Sequence, residues 1–237
     1  MKNRRLLAIA LAGAASISGV AAWHYLSGGL NPSIPPRLVS DYPFAYLPYQ
    51  NMAQGERALH QFALDGKDEQ MWMSDGELWV DVRLHSGTRG GQINFDAVLS
   101  FMNSTESNVL FFYHNHSFFD LNGQKTINPP STNDLTGHIL LTRESSWREK
   151  RLVSRVVDPF VVWEYRAEDR PDIPDAKNLP LLYFFDNPYF SREGVKESMN
   201  LLRNADGQPP DELAEKILRI YRRHFDAKVS FRPFGND

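Results

Sequence analysis

The run NVLFFYH, Asn108 to His114, constrains this chain most. An unbroken apolar stretch of this length, rich in aromatic residues, reads as a buried strand. The segments around it alternate in type. NMAQGERALHQFALDG places Met52, Ala58, Leu59, Phe62 and Ala63 at helical spacing. EQMWMSDGELWVDVRL holds two strand-like runs around Asp75-Gly76, a hairpin turn signal. Ile93 to Met102 reads as a helix, and STNDLTGHILL opens another. RLVSRVVDPFVVWEY gives two strands broken at Asp158-Pro159. The expected fold class is α/β or α+β, with a sheet flanked by helices.

The tail has its own rhythm. AEDRPDIPDAKNLP is a polar connection, and LLYFFD a short strand. SREGVKESMNLLRN and PPDELAEKILRIYRRHF are amphipathic helices with start signals at Ser191, Glu193 and Pro210-Asp211. AKVSFRPF closes as a strand. Residues 166–237 are therefore expected to be a separate unit or a C-terminal α/β extension, mostly helical with short strands.

At the other end, Lys2, Arg4 and Arg5 precede an uncharged apolar run from Leu6 to Ala22. That is the layout of an export signal or a signal-anchor. Val20 and Ala22 permit cleavage after Ala22. Left uncut, residues 6–26 would serve as a membrane anchor, with Trp23 and Tyr25 at its interface. Either way the body would lie outside the cytoplasm, in the periplasm or on the outer face of the inner membrane, or secreted if the signal is cut. Residues 27–50, rich in Pro, Gly and Tyr, read as a linker. A formal net charge of −3 gives no bulk attraction for nucleic acid. The absence of cysteine excludes disulfides, thiolate metal sites and cysteine nucleophiles. Any metal must be held by His, Asp or Glu.

His114 and His116 end the apolar run. In an extended segment they share one side, so both imidazoles could face one ion. Downstream, Ser131 and Asp134 stand three apart at a helix start, with their side chains close on the first turn. The same Ser-x-x-Asp pattern also fits a capping box, and one serine could serve both roles.

HNH followed by PSTND resembles the JAMM motif of MPN-type zinc metalloproteases, including the RadC-like branch. Those proteins carry an upstream Glu, then His-x-His, then Ser-x-x-Asp. The resemblance covers roughly residues 51–165. It implies an MPN or cytidine-deaminase-like mixed sheet flanked by helices, and one catalytic zinc ion held by His114, His116 and Asp134. It implies that Ser131 stabilises the oxyanion and that a glutamate moves the proton. Glu69, 45 residues ahead of His114, is the preferred base, with Glu77 and Glu56 as alternatives. The chain departs from the family in two ways. Fourteen residues, Ser117 to Pro130, separate the second His from Ser131, where the family interval is roughly half as long. Ser117 also stands where the family often has proline. The added segment could form a loop over the site, and Asp120 within it could compete as a ligand. His60, His85 and His138 are left outside the ligand set.

The expected activity is hydrolysis of an amide or isopeptide bond in a peptide or protein of a bacterial envelope. The alternatives are an inactive MPN-like scaffold of the envelope and a toxin or effector with a JAMM-like domain.

Overall fold

A computed structural model describes residues 44–66, 69–84, 92–121, 124–175, 187–205 and 207–234. Helices and a mixed sheet make up the fold. The chain runs β1 (Ala45–Leu47), α1 (Met52–Leu64), β2 (Met71–Ser74), β3 (Trp79–Asp81), β4 (Arg83–Leu84) and β5 (Gln92–Ile93). It continues through α2 (Phe95–Ser104), β6 (Val109–Asn115), β7 (Phe119–Leu121), β8 (Gln124–Thr126) and α3 (Thr132–Ser146). The last elements are β9 (Arg151–Val157), β10 (Val161–Ala167), α4 (Arg192–Arg203), α5 (Pro210–His224) and β11 (Ala227–Pro233).

Seven strands form the main sheet in the order β1-β3-β2-β6-β9-β10-β11. β6 and β9 pair in parallel and are joined by the α3 crossover; the other neighbours are antiparallel. The apolar run of β6 follows from its central place, because both faces of the sheet are covered. On one face Leu59 of α1 packs with Trp72, Trp79, Tyr113, Val157 and Val162. On the other, Met71, Met73, Leu110 and Phe112 meet Val98, Phe101 and Met102 of α2. Farther along that face, Val156, Trp163 and Tyr165 meet Leu135 and Ile139 of α3 and Leu213 and Ile217 of α5. A strand covered on both faces has no polar face to alternate with.

Several expected boundaries shift. The 93–102 helix begins at Phe95, because Asn94 accepts from the Ala97 N–H as its cap and residues 92–93 pair with β4. The linker's last residues are not spacer: β1 pairs with β3. The closing strand β11 pairs along the whole of β10, so the C-terminal segment supplies an edge of the same sheet, and α5 packs into the same core. The inserted segment after His116 holds a two-stranded hairpin, β7 with β8. The export segment 1–26, His85 and the LLYFFD strand lie outside the described residues. Among the described residues no helix is long and apolar enough to cross a membrane.

α1 lies close on the sheet because Gly55 has no side chain. A Cβ there would overlap the buried Trp79 ring, whose indole N–H donates to the Asn51 carbonyl. Gly55→Ala should therefore destabilise the fold. The helix-propensity gain of roughly 0.5–1 kcal/mol is smaller than the overpacking cost of about 1–3 kcal/mol. Urea unfolding measures the difference, and a stabilised variant would contradict this packing.

Candidate metal centre

The strand register brings the first two groups together. Met71 pairs with His114, so Glu69, two residues before Met71, stands beside His116 at the strand end. The Gln70 N–H donates to Asn115 Oδ1 at 2.7 Å and continues that alignment. Directly opposed residues share a sheet face, so Glu69, His114 and His116 point the same way. The His116 N–H donates to the Val157 carbonyl and extends the β6–β9 ladder by one residue. The third group comes from α3, which starts beyond the carboxyl end of β6. Ser131 Oγ accepts from the Asp134 N–H at 3.2 Å, and Asp134 Oδ2 accepts from the Ser131 N–H at 2.5 Å. This is a complete capping box. It also aims the Asp134 carboxylate at the histidines.

Glu69, His114, His116 and Asp134 each offer one ligand atom, and these atoms all lie within 4.8 Å of one another. His114 Nε2 is 3.2 Å from Asp134 Oδ1, and His116 Nε2 is 3.5 Å from Asp134 Oδ2. Ligands at 2.0–2.2 Å from a tetrahedral ion stand about 3.3–3.6 Å apart, so both separations suit a shared cation. Glu69 Oε1 stands farther off, 3.8 Å from His114 Nε2 and 4.0 Å from His116 Nε2.

Whether these residues fit a metal is tested by the imidazoles. The His114 ring is buried, and its Nε2 faces the Asp134 and Glu69 carboxylates. A cation beside Nε2 would sit between that lone pair and two carboxylates, a donor set that suits a metal. His116 Nδ1 lies 3.1 Å from the Asn128 carbonyl. Donation there fixes the tautomer and turns the Nε2 lone pair toward the cluster, the usual arrangement behind a ligating histidine. The four residues fit a metal ion.

The electrostatics agree. Burial opposes charge on His114, but the Asp134 carboxylate and then Glu69 raise its pKa above the ordinary value. Burial alone would raise Asp134; the His114 imidazole, then His116 and the Ser131 N–H, hold it well below the usual carboxylate range. Two acids facing two imidazoles favour a positive charge among them.

The alternative bases sit elsewhere. Glu56 projects from α1 onto the opposite face of the sheet. There its carboxylate accepts from the Tyr113 hydroxyl at 2.6 Å and from Arg155 at 3.0 Å, and it pairs with Arg232. Glu77 is exposed in the β2–β3 turn, at the end of β2 away from His114. Asp120 is in β7, and its side chain is outside the described set. His60 stacks on Phe234 and reaches the Pro159 carbonyl. His138 is buried, held by Ser154 Oγ at 2.8 Å and Thr142 Oγ1 at 3.2 Å.

Two supporting residues were not anticipated. Asn128 turns His116 through its backbone carbonyl and holds the loop through its side chain, which donates to the Ser117 carbonyl at 3.0 Å. Asp158 is fully buried and accepts from the Asn128, Phe160 and Val161 N–H groups and the Trp163 indole. The signal for Asp158 was its place at the Asp-Pro break, which reads as a turn and nothing more.

His138 gives a pH test independent of the metal. Burial, then the Arg166 charge, pushes its pKa down to about 4. Above the ordinary value near 6.5 the folded and unfolded chains are both neutral there. Between about 6.5 and 4 only the unfolded chain takes the proton, so stability falls as pH falls. The loss is up to about 1.4 kcal/mol per pH unit and about 3 kcal/mol in all. Unfolding of the wild type and His138→Gln across this window should show the variant losing less stability by about that amount. Parallel pH curves would refute the assignment. Comparison of the chain with protein families, with curated proteins and with solved structures found no match.

Proposed function

We propose that this chain is a zinc-dependent hydrolase of the JAMM type, cleaving an amide or isopeptide bond of a peptide or protein outside the cytoplasm. The observation that carries the reading is the convergence of Glu69, His114, His116 and Asp134 within 4.8 Å, from three separate parts of the chain. His114, His116 and Asp134 would hold the ion, which two imidazoles and one carboxylate suit. When bound, such an ion supplies Lewis acidity, which polarises a carbonyl and makes water acidic near neutral pH.

The chain's own groups do the rest. Glu69 stands behind the ligand set and is partly exposed to solvent. Its carboxylate accepts a proton as water oxygen bonds to the carbonyl carbon. It then returns that proton to the amide nitrogen as the C–N bond breaks, leaving a carboxylate and an amine. Ser131 Oγ accepts from the Asp134 N–H, which leaves its own hydrogen to donate to the carbonyl oxygen as negative charge grows there. The basic and then apolar N-terminus supports action in the periplasm or at the outer face of the inner membrane. The scaffold alternative rested on the doubled interval before Ser131 and on the open choice among three glutamates; Glu69 lying beside both imidazoles favours the hydrolase.

Metal analysis of the purified chain should find one zinc ion, lost in His114→Ala and Asp134→Ala. Glu69→Gln should keep the zinc and lower hydrolysis of a mixed α-peptide and lysine-isopeptide library by roughly 10²–10⁴-fold. Glu56→Gln should leave zinc stoichiometry and hydrolysis unchanged while costing about 1.5–3 kcal/mol of stability, since the Tyr113 hydroxyl and Arg155 lose a charged acceptor. A chain that binds no divalent metal, or hydrolysis indifferent to Glu69→Gln, overturns the reading.

A further inference from the structure

Beside the metal cluster lies a half-open cavity of about 50 Å³. Asn128 and Ser131, each hydrogen-bonded to a cluster histidine or carboxylate, form the wall nearest the cluster. The opposite wall comes from the C-terminal helices. Val195, Ser198, Met199 and Leu202 are spaced to lie on one face of α4, and Phe225 closes the end of α5. Phe119 of the inserted hairpin completes the rim.

Two features show that the cavity is held in shape. The Tyr221 hydroxyl donates to the Pro130 carbonyl and ties α5 to the backbone just before the α3 cap. Gly194 lets α4 approach α5, because a Cβ there would overlap His224 and Phe225.

We propose that this cavity receives an aliphatic side chain of the substrate, next to the amide presented to Glu69. The subsite role rests on the hydrolase reading above. Size sets the class. One water needs about 10–15 Å³ of such space, so the cavity suits a branched side chain of valine or leucine size and excludes an indole. A charged side chain would be stripped of water among Val195, Met199 and Leu202 with no counter-ion in the wall.

The chain has six methionines, so labelling their methyl groups with ¹³C gives a short, assignable spectrum. Met199 reports the cavity, and Met71, paired with His114, reports the cluster. Titrating the zinc-loaded chain with N-acetyl-leucinamide should shift the Met199 methyl saturably, and N-acetyl-aspartamide should leave it in place. Val195→Phe, which fills a partly exposed wall, should weaken leucinamide binding at least about tenfold with zinc stoichiometry unchanged. Equal response to both amides, or no effect of Val195→Phe while zinc stays bound, overturns the pocket and leaves the hydrolase reading standing. A selective Met199 response in a chain that binds no zinc supports the pocket as an aliphatic site and removes the hydrolase reading instead.

Discussion

The capping box at the start of α3 is the constraint from which the centre follows. A helix beginning at the carboxyl end of β6 must satisfy its first N–H groups, and Ser131 and Asp134 do so reciprocally. The Asp134 carboxylate is thereby fixed at both ends. One oxygen is held by the Ser131 N–H, and the group as a whole faces His114 and His116. The helix dipole favours an anion at this position. The capping geometry is therefore the one that turns the Asp134 carboxylate to the two imidazoles, and the two readings of Ser-x-x-Asp are compatible. A helix needs its cap whatever the length of the segment before it. The longer interval from Ser117 to Pro130 is absorbed by the β7–β8 hairpin, and the cap still returns to the end of β6. Lengthening a loop costs little, roughly 0.6 kcal/mol for each doubling.

Much of this was legible in the sequence because it depends on local pattern. The apolar run of β6, the Asp75-Gly76 turn and the period of α1 each express one dominant force, burial or turn geometry. That His114 and His116 share a side was legible from strand alternation. Asp134 and Glu69 came in through the resemblance of HNH and PSTND to the JAMM motif, and the structure brings both to the histidines. Glu56 and Glu77 could not be dismissed by the same means. The choice among three glutamates depends on which face of the sheet α1 covers and on which end of β2 carries the turn, and both are tertiary facts.

The supporting shell was not legible, for a chemical reason. Asn128 steers His116 with a backbone carbonyl, a group that every residue carries, so its side-chain identity gives no hint of the role. Asp158 acts at one remove, through the Asn128 N–H. Three of its four donors lie in the β9–β10 turn and in β10, and the fourth in the loop before α3, some thirty residues away. The C-terminal segment hid for a related reason. Its amphipathic helices announce that they pack, but the surface they pack on is fixed only by the pairing of β11 with β10.

Two carboxylates divided by one sheet show how the fold separates support from chemistry. Glu56 and Glu69 both precede β2 in sequence, yet α1 carries Glu56 to one face of the sheet while Glu69 lines up with His116 on the other. Glu56 meets Tyr113, Arg155 and Arg232, so its acceptor positions are taken by fixed donors and it ties α1 to β6, β9 and β11. Glu69 meets two imidazoles at 3.8 and 4.0 Å, beyond hydrogen-bond length. The first carboxylate ties the helix to the sheet, and the second faces the imidazole pair. The alternation of β6 sorts the two roles: Tyr113 faces the tie and His114 faces the centre. A one-residue slip of this strand would exchange them, so the register that buries the tie is the register that assembles the site.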